Sequence, residues 1–204
     1  MSTLEERVRR AVREDVAIVP YDPRWPNLFR HEAAHLRARL PSQLIRRIEH
    51  FGSTAVPGLA AKPIIDVLVE VTSLRAARAK IAPILKAQGY DYFWRPTIGD
   101  DVPPWYAFFV KRDRSGARTH HIHMMTRRAV FRAHWERLLF RDYLISHPDV
   151  AHDYEVLKKG LASSHPNDRK AYTAGKTDFI AHIMAKVKQR AKEQAAGAIL
   201  RARA

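Results

Sequence analysis

Two groups of residues have the types and spacing needed for phosphate and metal chemistry. The first is the stretch Ile48-Glu49-His50-Phe51-Gly52-Ser53-Thr54, after which twelve residues separate Ser53 from Asp66. A glycine at the end of a strand lets the backbone come close to a ligand. Ser53 and Thr54 offer hydroxyls and amide N–H groups to phosphate oxygens. An aspartate on the neighbouring strand can hold a divalent cation beside those phosphates, and Lys62 can neutralise their charge. The plainer reading is that Gly52 only turns the chain and Ser53 caps a short helix. The added Thr54, Lys62 and Asp66 favour a functional loop.

The second group is Thr119-His120-His121-Ile122-His123. Strand alternation puts Thr119, His121 and His123 on one face and His120 and Ile122 on the other. Two imidazoles at i and i+2 can bind one metal ion or hydrogen-bond a phosphate, with Asp66 completing the set. Otherwise they are polar residues on an open sheet face. His50, beside the glycine-serine turn, is either part of the same cradle or a core histidine donating to a backbone carbonyl. Arg141 and Lys176, in the helical second half, suit phosphate or carboxylate recognition. For Arg141 the competing reading is an ion pair with Asp142. Tyr172 and Lys176, at i and i+4, would share a helix face.

These residues need a sheet to hold them. Ile45–Phe51 reads as a strand ending at Gly52. The run Ile64–Val71 is almost wholly apolar and β-branched, as in a central strand covered on both faces. Ser73 can N-cap a helix that Gly89 ends. Tyr90–Trp94 reads as a strand, and Trp105–Arg112 and Ala117–Met125 as a hairpin through Asp113-Arg-Ser-Gly116. The loop 95–104 is long enough for a lid. After Thr126 the pattern is helical over 130–146, 150–162 and 168–192, with breaks at His147-Pro148 and His165-Pro166. A short helix is expected over 4–15, and an amphipathic one from Asn27 to Leu40 that Pro41 stops. The expected fold class is α+β, a mixed sheet with flanking helices and a C-terminal helical half. Three segments are expected: a helical extension over 1–18, one domain over 19–187, and a basic tail over 188–204.

The 204 residues carry 36 Lys+Arg against 21 Asp+Glu, a net charge of +15, and no cysteine. Without cysteine there is no disulfide scaffold, thiolate zinc site, iron–sulfur cluster or cysteine nucleophile. Any metal must sit on carboxylate and imidazole. No apolar run approaches the roughly 20 residues that cross a bilayer, and the charged start lacks a signal-peptide core. The expectation is a cytoplasmic protein with no membrane partner. The charge points to an anionic partner. Much of it lies in Arg37, Arg39, Arg46, Arg47 and the basic tail, runs that usually form solvated faces.

The segment Glu49-His50-Phe51-Gly52-Ser53-Thr54-Ala55-Val56-Pro57-Gly58-Leu59-Ala60-Ala61-Lys62-Pro63-Ile64-Ile65-Asp66 resembles that of the GrpB (UPF0157) family. The likeness extends to Tyr21-Asp-Pro-Arg-Trp25, His120-His-Ile-His123, Phe140-Arg-Asp-Tyr-Leu144 and Tyr172-Thr-Ala-Gly-Lys-Thr-Asp178. It implies a nucleotidyltransferase-like fold, and regions of this family are also seen fused to dephospho-coenzyme A kinases. In the nucleotidyltransferase superfamily two strand carboxylates at i and i+2, with a third from a later strand, bind two magnesium ions that align a nucleoside triphosphate. This chain departs from that pattern. Position i+2 from Asp66 is Leu68, and Glu70 lies about 13 Å along the strand, at ~3.3 Å per residue. Paired metals sit only about 3.5–4 Å apart. The resemblance therefore implies a transferase on a nucleotide or another phosphorylated or carboxylated small molecule. Asp66, His121 and His123 would be catalytic and would bind Mg, Mn or Zn. His50, Gly52, Ser53, Thr54, Lys62, Arg141 and Lys176 would bind substrate. The alternative is a catalytically inactive nucleotide- or RNA-binding module.

Overall fold

The computed structural model describes residues 16–96 and 103–201. The helix expected over 4–15, most of the expected lid and the end of the tail lie outside them. The described residues divide into two compact units, one within 18–138 and one of 16–17 with 139–201.

The first unit is built on a five-stranded sheet in the order β1-β2-β5-β4-β3. Its strands are β1 (Ile45–Phe51), β2 (Ile65–Val71), β3 (Asp91–Pro96), β4 (Trp105–Arg112) and β5 (Arg118–Met125). β2 and β5 are parallel and every other neighbouring pair is antiparallel. The expected mixed α+β sheet is what forms, and the apolar run of β2 lies inside it, between β1 and β5. β2 is buried along almost its whole length because apolar material covers both faces.

On one face lie helix α1 (Trp25–Arg39) and helix α2, which runs as Leu74–Ala76, a π turn Ala77–Ile81 and Ala82–Ala87. Pro26 supplies the fixed φ that a first helical turn accepts, and Pro41 follows the last turn of α1. Ser73 caps α2 by accepting a hydrogen bond from the Ala76 N–H at 3.2 Å. Trp25, Ala33 and Leu36 of α1, and Ile81 and Leu85 of α2, pack against Val67, Val69, Phe109, Ile122 and Met124 of the sheet. Glu32 is buried within this layer. It accepts hydrogen bonds from Tyr90 Oη at 2.6 Å and from the Lys111 ammonium, tying α1 to the far strands.

The opposite face carries a second cluster, in which Phe51, Leu68, Tyr106, Phe108, Val110 and Met125 are joined by Phe131, Trp135 and Leu138. The helix expected over 130–146 is broken into Ala129–Phe131, α3 (Arg132–Trp135) and α4 (Arg137–Ser146). Trp135 is drawn into the cluster and donates its indole N–H to the Thr126 carbonyl at 3.0 Å.

The second unit contains most of α4, then α5 (Pro148–Ser164), α6 (Arg169–Ala174) and α7 (Thr177–Arg201). The single helix expected over 168–192 breaks at Gly175, where a Cβ would lie 2.4 Å from Leu161 Cδ2. Gly175 thus lets the end of α6 lie close against α5. Asp168 caps α6 through the Ala171 N–H. Tyr154, Lys158, Tyr172 and Ile183 are the buried centre of this unit.

Candidate functional site

Register brings Asp66 and the two histidines together. Asp66 of β2 pairs with Phe51 on one side and His121 on the other, and Leu68 pairs with Glu49 and His123. Two adjacent rows therefore cross one sheet face, Phe51–Asp66–His121–Val110 and Glu49–Leu68–His123–Phe108. One ligand atom each from Asp66, His121 and His123 lies within 4.8 Å of the others.

His121 Nδ1–H donates to Asp66 Oδ1 at 3.0 Å, so its Nε2 is the basic nitrogen. Arg118 Nη1 stands 3.4 Å from that Nε2. His123 Nδ1 is hydrogen-bonded to the buried Tyr106 Oη at 3.1 Å, leaving Nε2 for other contacts. The two imidazoles sit against an aromatic wall, with Phe108 centred 5.3 Å from His121 and 4.8 Å from His123. Phe51 meets His123 edge-on at 5.2 Å.

Burial alone would push the Asp66 carboxyl up. The hydrogen bond from His121 and the charges of His121, His123 and Lys62 outweigh it and hold the carboxyl at about 2. Burial pushes His123 well below the ordinary imidazole range against the pull of Asp66. The neighbouring His134 falls to about 3, through burial first and then the charges of Arg137 and Arg95.

Gly52 belongs to this site for a specific reason. Its φ is +75°, and a Cβ there would lie 2.6 Å from Asp66 Oδ2. The close approach that the sequence suggests for a ligand is made here to the protein's own carboxylate. Ser53 follows, half-buried, at the start of the short turn Ser53–Ala55, and Lys62 is half-buried with its charge felt at Asp66.

His50 and Thr54 are placed differently from the expected cradle. His50 pairs with Val67, so alternation puts it on the face opposite Asp66, stacked on Phe29 of α1 at 4.8 Å. Thr54 is buried. Its hydroxyl donates to the Ile64 carbonyl at 3.3 Å and accepts from His50 Nε2–H at 3.1 Å. Both side chains tie the loop to the sheet.

Arg141 and Lys176 lie in the second unit. Arg141 pairs with Asp142 at 2.7 Å, the ion-pair reading of that residue. Lys176 lies just past the end of α6, outside the helix that carries Tyr172, yet its Nζ sits 4.4 Å from the Tyr172 ring centre. Sequence reasoning missed Tyr106, Arg118, Arg95, Arg137 and His134. Alternation does place Tyr106 with Phe108, but which strand faces β5 is not written in either strand.

The donor set, one carboxylate and two imidazoles, suits a transition ion such as Zn²⁺ or Mn²⁺ better than Mg²⁺, which asks for oxygen ligands. The position that would carry a second strand carboxylate is the fully buried Leu68. Among the described residues, no helix is long and apolar enough to cross a membrane.

The family model described as GrpB protein matches residues 15–186. A UPF0157 protein of Pseudomonas aeruginosa is 40% identical over 181 residues, covering 88% of this chain and 70% of that protein. The glutamate-rich protein GrpB of Alkalihalophilus pseudofirmus is 36% identical, over 83% of this chain and 94% of its own length. The crystal structure of GrpB from Enterococcus faecalis superposes with a TM-score of 0.73 at 32% identity, over 85% of this chain and 98% of that one. With the family model matching residues 15–186 and relatives similar over more than four-fifths of the sequence, the chain belongs to the GrpB family.

Proposed function

We propose that this protein is a metal-assisted transferase acting on a phosphate-bearing, nucleotide-like small molecule. The observation that carries this reading is the convergence of Asp66, His121 and His123 on one face of the sheet, their ligand atoms within 4.8 Å. These three side chains would hold the ion, and an ion of the zinc or manganese type supplies a polarised phosphoryl oxygen or an acidified water when bound. Asp66 accepts from His121 Nδ1–H and so fixes the tautomer in which Nε2 is the nitrogen that His121 would offer the ion. Lys62 places positive charge beside the carboxylate and Arg118 beside His121, where a substrate phosphate needs it. Phe51 and Phe108 keep water from one side of the imidazoles. A mononuclear site is the form compatible with Leu68, since it removes the second carboxylate that a paired-magnesium mechanism requires.

Leu68 also favours a second reading, a nucleotide- or RNA-binding module that keeps the cradle without turnover. The two separate in one set of measurements. Zn²⁺, Mn²⁺ and Co²⁺ are titrated calorimetrically into wild type, Asp66→Asn and His123→Ala, followed by thermal shifts with a nucleotide panel. The transferase reading expects tight metal binding lost in both variants, and product formation from one nucleotide that needs the metal. Wild type that binds no ion, or Asp66→Asn that binds as well as wild type, overturns it. Nucleotide binding without turnover and without dependence on metal establishes the binding module.

A further inference from the structure

Among the described residues, the cations around the Asp66 site outnumber its carboxylates. Lys62 acts on Asp66, and Arg118 Nη1 stands 3.4 Å from His121. Two further guanidiniums act on the wall that holds the histidines. Arg95, at the end of β3, has its guanidinium carbon 5.1 Å from the Phe108 ring centre and 5.9 Å from that of Tyr106. Phe108 and Tyr106 are the rings packed on His123, and Tyr106 is hydrogen-bonded to it. Arg137 stands one turn after His134 and next to Leu138, which packs into the cluster with Phe51, Tyr106 and Phe108, and its charge acts on Tyr106, His123 and His134. The His134 ring itself lies 5.3 Å from Tyr106. Glu49 shares this sheet face but is paired to Arg47 at 2.6 Å, and Glu32 and Lys111 neutralise one another in the layer on the opposite face.

Four cations therefore act on one carboxylate, two histidines and their aromatic wall. A guanidinium over an aromatic ring, as Arg95 is over Phe108, still offers a planar fork of N–H donors that matches a two-oxygen acceptor. Both arginines are exposed, so an anion reaches them from solvent.

We propose that Arg95 and Arg137 form the phosphate-recognising flank of this site, and that its ligand carries more than one phosphate charge, as a diphosphate does. The proposal rests on reading the Asp66 face as a ligand site and extends it to the ligand's class. Neither arginine lies in a motif that marks the loop or the histidine strand.

The test uses inorganic pyrophosphate titrated calorimetrically into the full chain, metal-free and manganese-loaded. The variants are Arg95→Ala, Arg137→Ala, Arg95→Lys and Arg46→Ala, the last on the exposed outer strand β1. Wild type binds, and each of the first two variants binds at least tenfold more weakly. Arg95→Lys falls between, because an ammonium cannot offer the fork. Arg46→Ala matches wild type, and binding weakens as salt rises. Equal affinity in wild type, Arg95→Ala and Arg137→Ala overturns the proposal, as does a wild type that binds no pyrophosphate. Tighter binding of malonate than of pyrophosphate overturns the phosphate assignment. Asp66→Asn in the same series separates this proposal from the metal reading. Lost metal binding with pyrophosphate affinity retained leaves the arginine flank intact.

Discussion

A Cβ on residue 52 would lie 2.6 Å from Asp66 Oδ2. Gly52 and Asp66 therefore form one structural unit, in which the absent side chain of the first makes room for the carboxylate of the second. The positive φ at Gly52 adds a second requirement, since a side chain there is strained whatever space surrounds it.

Gly52→Ala accordingly forces either the loop or the carboxylate to move. The expected loss of stability is about 1–3 kcal/mol, from backbone strain and the sub-contact distance together. The expected functional effect is larger, because the movement breaks the hydrogen bond from His121. Urea denaturation and a Co²⁺ titration on the same variant measure the two. Unchanged metal affinity would show that the carboxylate keeps its place.

Thr54 has the opposite profile. Its hydroxyl links His50 to the Ile64 carbonyl, on the side of the sheet away from Asp66. Thr54→Val leaves a buried carbonyl without that donor at nearly constant volume, at a cost of about 1–3 kcal/mol. Metal and pyrophosphate affinities should stay within about twofold of wild type, too small a change to signal a lost contact. A variant that melts like wild type but loses ligand would return Thr54 to the phosphate cradle that the sequence suggests.

Much of this was legible in single residues, and what was missed lay between strands. The apolar run of β2, the hairpin between β4 and β5 and the Ser73 cap follow from local pattern, and all form where that pattern puts them. Alternation correctly joined His121 to His123. Joining them to Asp66 required the parallel pairing of β2 with β5, across a crossover that includes α2, β3 and β4. His50 shows the complementary failure. Proximity in sequence to Gly52 suggested a shared site, yet adjacent strand residues point to opposite faces, and His50 went to Phe29. The arginines were hidden because charge runs look alike until a fold separates Arg46, on an outer strand, from Arg95, laid on the wall of the histidines.

Glu32 anchors the layer opposite the site. Its side chain is 1% exposed and accepts from Tyr90 and from Lys111, whose own side chain is 35% exposed, so the carboxylate is the buried charge of the pair. Removing one partner of such a pair leaves the other without compensation, which costs about 3–5 kcal/mol. Lys111→Met, which leaves the buried Glu32 carboxylate without its cation, is expected to fall in that range by urea denaturation. Replacing Glu32 and Lys111 together by Leu and Met should cost much less, because no charge is left buried. A single variant as stable as the double would show that the charges do not interact through this pair.

Lys158 gives a dependence on pH whose sign can be worked out. It is 1% exposed in α5, with its Nζ 5.0 Å from the Tyr154 ring centre. Burial, then the charge of Lys176, lowers its pKa from 10.5 to about 7. The folded state thus sheds this proton near pH 7, while the unfolded chain keeps it to about 10.5. Between those values the unfolded state binds more protons, so stability rises with pH. Below about 7 both states are protonated and the full penalty of the buried ammonium applies. That penalty has a ceiling of ~5 kcal/mol at ~1.36 kcal/mol per pKa unit. Lys158→Met keeps the volume and removes the charge. It should raise the melting temperature at pH 6, with the advantage over wild type shrinking steadily from pH 7 toward pH 10. A constant difference across that range would mean that Lys158 titrates alike in the folded and unfolded chain, and that its ammonium is compensated within the helical unit.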